Sequence, residues 1–257
     1  MPVGDALDHE WFCERAEAEI ARMASVASGA GLSAVVPTCP GWTVARLVKH
    51  TGIIHRWATE IVATRAAARI DQRDLAVGLP DSEAGYPSWL AAGAAPLGAA
   101  LRAAGPDTPV WAWGPAQSSG WWARRMLHET TVHRADVELA AGLVPDVDPV
   151  VAADGIEEFL ANLPTARRPS EHLGSLPAGA SLHLHATDAD GEWLIRIAAD
   201  GGGVEWSRGH SKATTAVRGP VAELLLFTYG RVPGSDPRLT VFGDPALLEV
   251  WQEKTAL

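Results

Sequence analysis

Covalent cross-linking is nearly absent from what this chain has to work with. Of its 257 residues only two are cysteine, Cys13 and Cys39, which excludes a disulfide framework and fits a reducing compartment. No stretch approaches the roughly 18 uninterrupted apolar residues of a membrane-spanning helix. The N-terminal Met-Pro-Val-Gly-Asp lacks the basic and apolar regions of a secretory signal, and a cytoplasmic protein is expected. Clusters of Lys and Arg are missing too. With a net charge of −10, neither nucleic acid nor an anionic membrane surface is an expected partner. There is no internal repeat and no low-complexity tract. Phe numbers 4 and Tyr 2, but Trp numbers 11, most of it before residue 123, so the N-terminal half has large rigid aromatic surface for a core or a pocket wall. A hydrophobic content of 47% supports a well-filled core.

Periodicity divides the chain in two. Residues 8–28 read as a helix with Trp11, Phe12, Ala16, Ile20, Met23 and Ala27 on one stripe, ended by Gly29 and Gly31. The loop Val36-Pro37-Thr38-Cys39-Pro40-Gly41-Trp42 leads to Thr43, an N-cap for a second helix running to about Arg69. A third helix is expected over residues 88–104, weakened or split by Gly93, Pro96 and Gly98. The loop after it holds Trp111 and Trp113, which need burial. A fourth helix, capped by Ser118 or Ser119, ends near Gly142. Four helices predict a bundle over residues 1–144.

After the linker at 143–149 comes one more helix, 150–162, and a Pro-rich loop to about Gly179. The period then becomes two, with a hairpin of 181–187 and 192–198 turning through Asp188-Ala189-Asp190-Gly191. Further strands at 203–207, 212–218 and 238–242 and helices at 220–230 and 244–254 make residues 145–257 a small α+β domain.

The chemistry lies in the fourth helix, Trp121 to Leu139, which contains no Gly or Pro. At about 100° per residue, Glu129 and His133 share one face and reach one metal ion. His128 precedes His133 by five positions, a rotation of roughly 140°, so this is not the two-histidine HExxH motif. The plainer reading is a solvated Glu and a core histidine. A catalytic zinc needs a third ligand, and His₂Glu is an attested set. Of the two histidines on helix two, His50 shares the apolar face with Leu47, Thr51, Ile54 and Trp57, whereas His55 is rotated away, and His50 is the candidate.

Cys39-Pro40-Gly41-Trp42-Thr43-Val44-Ala45-Arg46-Leu47-Val48-Lys49-His50 and the run Trp121 to His133 with Arg134 and Asp136 resemble the actinobacterial maleylpyruvate isomerase family of mycothiol-dependent enzymes. The resemblance continues in Leu182 to Asp188, Val217-Arg218-Gly219-Pro220 and Val241-Phe242-Gly243-Asp244. It implies an N-terminal DinB-like four-helix bundle and a C-terminal domain similar to sterol carrier protein folds. It also implies a divalent metal, usually zinc, held by His50, Glu129 and His133, the trio that periodicity selects.

In such an enzyme, the resemblance implies, mycothiol adds to the cis double bond of maleylpyruvate, rotation follows, and elimination gives fumarylpyruvate. A dicarboxylate substrate needs cationic anchors. Arg46, Arg56, Arg124, Arg125 and Arg134 are available in the bundle, Arg124 and Arg125 being the candidates for binding the thiol cosubstrate. The family uses an arginine of its C-terminal domain, and Arg218, with Arg231 as the other option, is the catalytic candidate. Asp136 either orients His133 or, as the plainer reading, pairs with neighbours of Arg134 at the surface. His183 and His185 share one strand face but match the family's sheet pattern, and are read as structural. Cys39 is read as a packed loop thiol. A mycothiol S-transferase and a non-enzymatic binder of small ligands remain as alternatives, and a monomer or homodimer is expected.

Overall fold

A computed structural model describes residues 7–166, 172–200 and 203–255. The N-terminal Met-Pro-Val-Gly-Asp and part of the Pro-rich loop lie outside the described residues. The chain divides into two units at Asp146 and Val147.

The first unit is helical. Helix α1, His9–Ala30, starts where the Asp8 carboxylate accepts from Trp11 N–H at 2.7 Å and stops at Gly31, whose φ is 83°. Cys13, Ala16, Ile20, Met23 and Ala27 form its buried stripe. Helix α2, Val44–Ala63, is capped by Thr43 and ends about six residues before the sequence predicts. Arg65 N–H donates to Val62 O and Ala66 N–H to Ile61 O, with Arg65 at φ 50°. This is a Schellman end with arginine in the left-handed position that glycine usually fills, so no glycine marks the stop. The third predicted helix is two, α3 (Tyr86–Ala91) and α4 (Ala94–Ala104), parted at Gly93. Pro96 is tolerated in the first turn of α4, where its missing N–H would have no helical partner.

Helix α5, Ser119–Ala140, is capped by Ser118 and closes on Gly142 at φ 71°. It is buried around most of its circumference. Trp111 and Trp113 are partly buried against the core. Trp111 meets Trp57 at 5.4 Å between ring centroids, Trp113 meets Trp121 at 4.8 Å, and Trp122 Nε1 donates to Trp111 O at 2.8 Å.

The second unit begins with α6, Pro149–Asn162, capped by Asp148 with proline at the first turn. Strands β1 (Ser181–Ala186), β2 (Glu192–Ile197), β3 (Val204–Arg208), β4 (Thr215–Gly219) and β5 (Thr240–Gly243) form one sheet in the order β3-β2-β1-β4-β5. The β1–β4 pair is parallel and the others antiparallel. Helices α7 (Val221–Thr228) and α8 (Pro245–Thr255) complete it. Leu182, Leu184, Trp193, Ile195 and Val217 alternate onto one buried face, and Trp193 Nε1 reaches Glu157 of α6 at 2.9 Å. Asp188, expected only as a turn residue, also accepts from Val221 N–H at 2.8 Å and so caps α7. Among the described residues no helix is long and apolar enough to cross a membrane.

Candidate metal centre

The turn entering α2 and the packing of α2 against α5 build the site. Val36 N–H donates to Trp42 O at 3.0 Å and Trp42 N–H to Cys39 O at 3.0 Å, with Gly41 at φ 77°, a conformation that favours glycine. The turn brings Thr38 and Cys39 to Asp136 on α5 and Trp42 to His50, 5.1 Å between ring centroids. A second tie crosses from α2 to α5, where His55 Nε2 lies 2.8 Å from Thr130 Oγ1. Thr130 spends its proton on Met126 O, so His55 is the donor. Burial pushes the His55 pKa down to about 3, which keeps that imidazole neutral.

One turn before His55, His50 stands level with Glu129 and His133. Glu129 Oε1 is 3.4 Å from His50 Nε2 and 3.2 Å from His133 Nε2, and the ligand atoms of all three residues lie within 4.8 Å of one another. Zinc bonded tetrahedrally at about 2.0–2.1 Å spaces neighbouring ligand atoms roughly 3.3 Å apart. The donor set and its spacing fit such an ion. The imidazoles of His50 and His133 are near perpendicular, 5.3 Å between centroids. His50 is not the inward residue its helix face suggests: its side chain is 36% exposed, while His55 is fully buried. Because α2 is buried over much of its circumference, histidines five apart both turn toward α5, and the apolar stripe does not rank them.

Two groups orient these side chains. Arg125 pairs with Glu129 Oε2, leaving Oε1 to the histidines. Burial alone would favour a neutral Glu129, but Arg125 and His133 outweigh it and hold this carboxyl well below the usual range. Asp136, fully buried, lies 2.9 Å from His133 Nδ1 and accepts from Thr38 Oγ1 at 2.6 Å. It is therefore no surface partner of Arg134's neighbours. It holds the Nδ1–H tautomer and turns Nε2 toward Glu129, as carboxylates behind metal-bound histidines do. Burial opposes protonation of His133, yet Glu129 and Asp136 prevail and raise its pKa to about 9. Cys39, with Sγ 3.6 Å from Asp136 Oδ2, forms with His133 and Asp136 another group whose ligand atoms lie within 4.8 Å.

The arginines divide sharply. Arg134 is fully buried and held by Glu19, Glu138 and Asp146 O, so it is no substrate anchor. Arg56 is spent on Gly52 O and Trp89 O, its guanidinium 3.9 Å from the Trp89 ring centroid. Arg46 stacks on Trp42 at 4.6 Å. Arg124 is half-buried on α5. Arg218 is exposed on β4 of the second unit, and Arg231 donates to Tyr229 O. The clamp of Arg125 on Glu129 and the reach of Thr38 to Asp136 went unread in the sequence, although the i, i+4 spacing of the first pair is a legible signal.

No curated protein matches the chain. Among solved structures, "Crystal structure of the mycothiol-dependent maleylpyruvate isomerase" is similar over 91% of each chain with a TM-score of 0.57 and 15% identity, a likeness of fold alone. "UbiJ-SCP2 Ubiquinone synthesis protein" is similar over 43% of this chain and 92% of its own at 14% identity, with a TM-score of 0.29, too low to bear on the fold. Residues 13–138 match the family described as Mycothiol maleylpyruvate isomerase N-terminal domain, and residues 150–249 the MDMPI C-terminal domain. With both halves matched in order along one chain, this protein belongs to the mycothiol maleylpyruvate isomerase family.

Proposed function

We propose that this protein is an enzyme that isomerises maleylpyruvate or a related cis electrophile, with mycothiol as cosubstrate and a divalent metal, zinc foremost, held by His50, Glu129 and His133. The observation that carries the proposal is the convergence of His50 Nε2, His133 Nε2 and Glu129 Oε1 from two helices at the spacing a tetrahedral ion sets. A divalent cation bound there supplies the charge that keeps a thiol ionised at neutral pH.

The chain's own residues do the positioning. Asp136 fixes the His133 tautomer, Arg125 fixes the rotation of the Glu129 carboxylate, and Trp42 packs edge-on against the His50 ring. We assign Arg124 to the cosubstrate and Arg218, which has no ion pair among the described residues, to a substrate carboxylate. In the reaction, sulfur bonds to one alkene carbon and the π electrons move into the conjugated carbonyl. The resulting single bond rotates, the double bond re-forms, and the thiolate leaves unchanged. Nothing is oxidised and no thiol is consumed.

The test is to supply the zinc-loaded protein with maleylpyruvate and mycothiol and follow fumarylpyruvate by proton NMR. Turnover is expected in the wild type, lost when mycothiol is omitted and in His50→Ala. Stoichiometric disappearance of thiol into an adduct with members of an electrophile panel makes the chain a thiol transferase instead. If no substrate is consumed and His50→Ala leaves metal content unchanged, the proposal fails.

A further inference from the structure

Beyond the centre on α2 and α5, three imidazoles and a carboxylate gather on the sheet of the second unit. His183 and His185 alternate onto the same face of β1, and Glu192 of β2 stands opposite His185 in the register. His210 comes from the segment that follows β3. There Gly209, at φ 125°, turns the chain, and its N–H donates to Glu192 O at 3.0 Å, which holds the next residue beside the carboxylate. Glu192 Oε2 is 2.8 Å from His210 Nδ1 and 3.2 Å from His183 Nε2, while Oε1 is 3.0 Å from His185 Nδ1. The ligand atoms of His183, Glu192 and His210 lie within 4.8 Å of one another.

A hydrogen bond joins His210 Nδ1 to Glu192 Oε2, but none accounts for His183. The His183 side chain is 5% exposed, and its Nε2, although near Glu192, has no hydrogen bond of acceptable geometry among the described residues. A buried polar nitrogen aimed at a carboxylate and two further imidazoles, and left without a bond, costs stability unless something fills the position. A pocket of about 350 Å³ lined by His183, His185, His210, Ala216, Arg218 and Phe242 opens onto it. We propose that His183, Glu192 and His210, with His185 alongside, form a second site for a divalent transition-metal ion in the C-terminal sheet.

The ligand chemistry sets the ion class. Imidazoles with one carboxylate suit zinc, nickel or copper(II), while magnesium and calcium prefer oxygen ligands. The site is labile by construction, because His183 is a buried anchor while His210 is 78% exposed at its side chain. Bound metal would tie β1, β2 and the segment after β3 into one unit.

The test uses the full chain, stripped with chelator and titrated with zinc by calorimetry, with metal content read by mass spectrometry after gel filtration. Two ions per chain are expected. The weaker one is lost in His210→Ala and in His183→Asn but kept in His50→Ala. Unfolding of His210→Ala in excess chelator should match the wild type, since this exposed residue holds no core together. A wild type with a single ion that His50→Ala removes overturns the proposal, as does a second ion that survives both His183→Asn and His210→Ala. A single ion lost in His210→Ala and kept in His50→Ala supports this site while sinking the one on α2 and α5.

Discussion

Replacing Asp136 with Asn keeps the shape of a fully buried side chain and removes the charge behind His133. If residues 50, 129 and 133 hold a metal, that carboxylate raises the basicity of the ligand and fixes its tautomer. Losing such a partner typically weakens binding about 10–100-fold, or about 1.4–2.7 kcal/mol. The same carboxylate also favours the proton that competes for His133, whose pKa is about 9 without metal. The deficit in zinc affinity should therefore be smaller near neutral pH and reach its full size above about pH 9, where the competing proton is gone. The assay is a competitive titration of chelator-stripped protein against a chromophoric zinc indicator at both pH values, with His133→Ala as the reference for a lost ligand. Zinc affinities of Asp136→Asn and wild type that agree within about twofold above pH 9 would refute the reasoning, because they fall outside the range for such a partner.

Three further outcomes follow from packing and burial. His55 has a folded-state pKa of about 3 against an unfolded 6.5, so the unfolded chain takes up the proton first as pH falls. Its contribution is intact above pH 6.5, with about 2 kcal/mol lost by pH 5; denaturant titrations of wild type and His55→Gln should show that slope only in the wild type. Arg134→Ala removes the fully buried cation that Glu19 and Glu138 share and leaves Glu138 only the half-exposed Arg22, so urea unfolding should lose about 3 kcal/mol, the lower end for a broken buried pair, a loss under about 1 kcal/mol being inconsistent with that burial. Gly52→Ala puts a methyl carbon 2.2 Å from the Trp89 ring, so overpacking of about 1–3 kcal/mol should exceed the helix gain of up to about 1 kcal/mol, and a raised Tm would show that the ring moves freely.

Local signals carried the sequence reading as far as contacts within a turn or two reach. Thr43 and Ser118 are caps with their own side chains as the reason, and Glu129 and His133 share a face because helical geometry makes them neighbours. The stop of α2 escaped because Arg65 sits where glycine is the usual sign. The role of Asp136 behind His133 was legible from their spacing but ranked second to a surface pairing, because what buries and holds the carboxylate, Thr38, lies 98 positions away.

Distance along the chain explains the sheet cluster as well. Alternation alone puts His183 and His185 on one face, but Glu192 joins them only through strand register and His210 only through the turn at Gly209. A histidine pair on a strand and a Glu-His pair on a helix both recur by chance, and neither alone specifies an ion. What makes a pair a candidate ligand set is a third group arriving from another element at the spacing an ion would impose. His50 arrives at 3.4 Å from Glu129 and His210 at 2.8 Å from Glu192. Of these arrivals only His50 was within reach of the sequence, because it ends the stretch Cys39 to His50 that carries the resemblance, whereas the helix face alone does not rank it above His55.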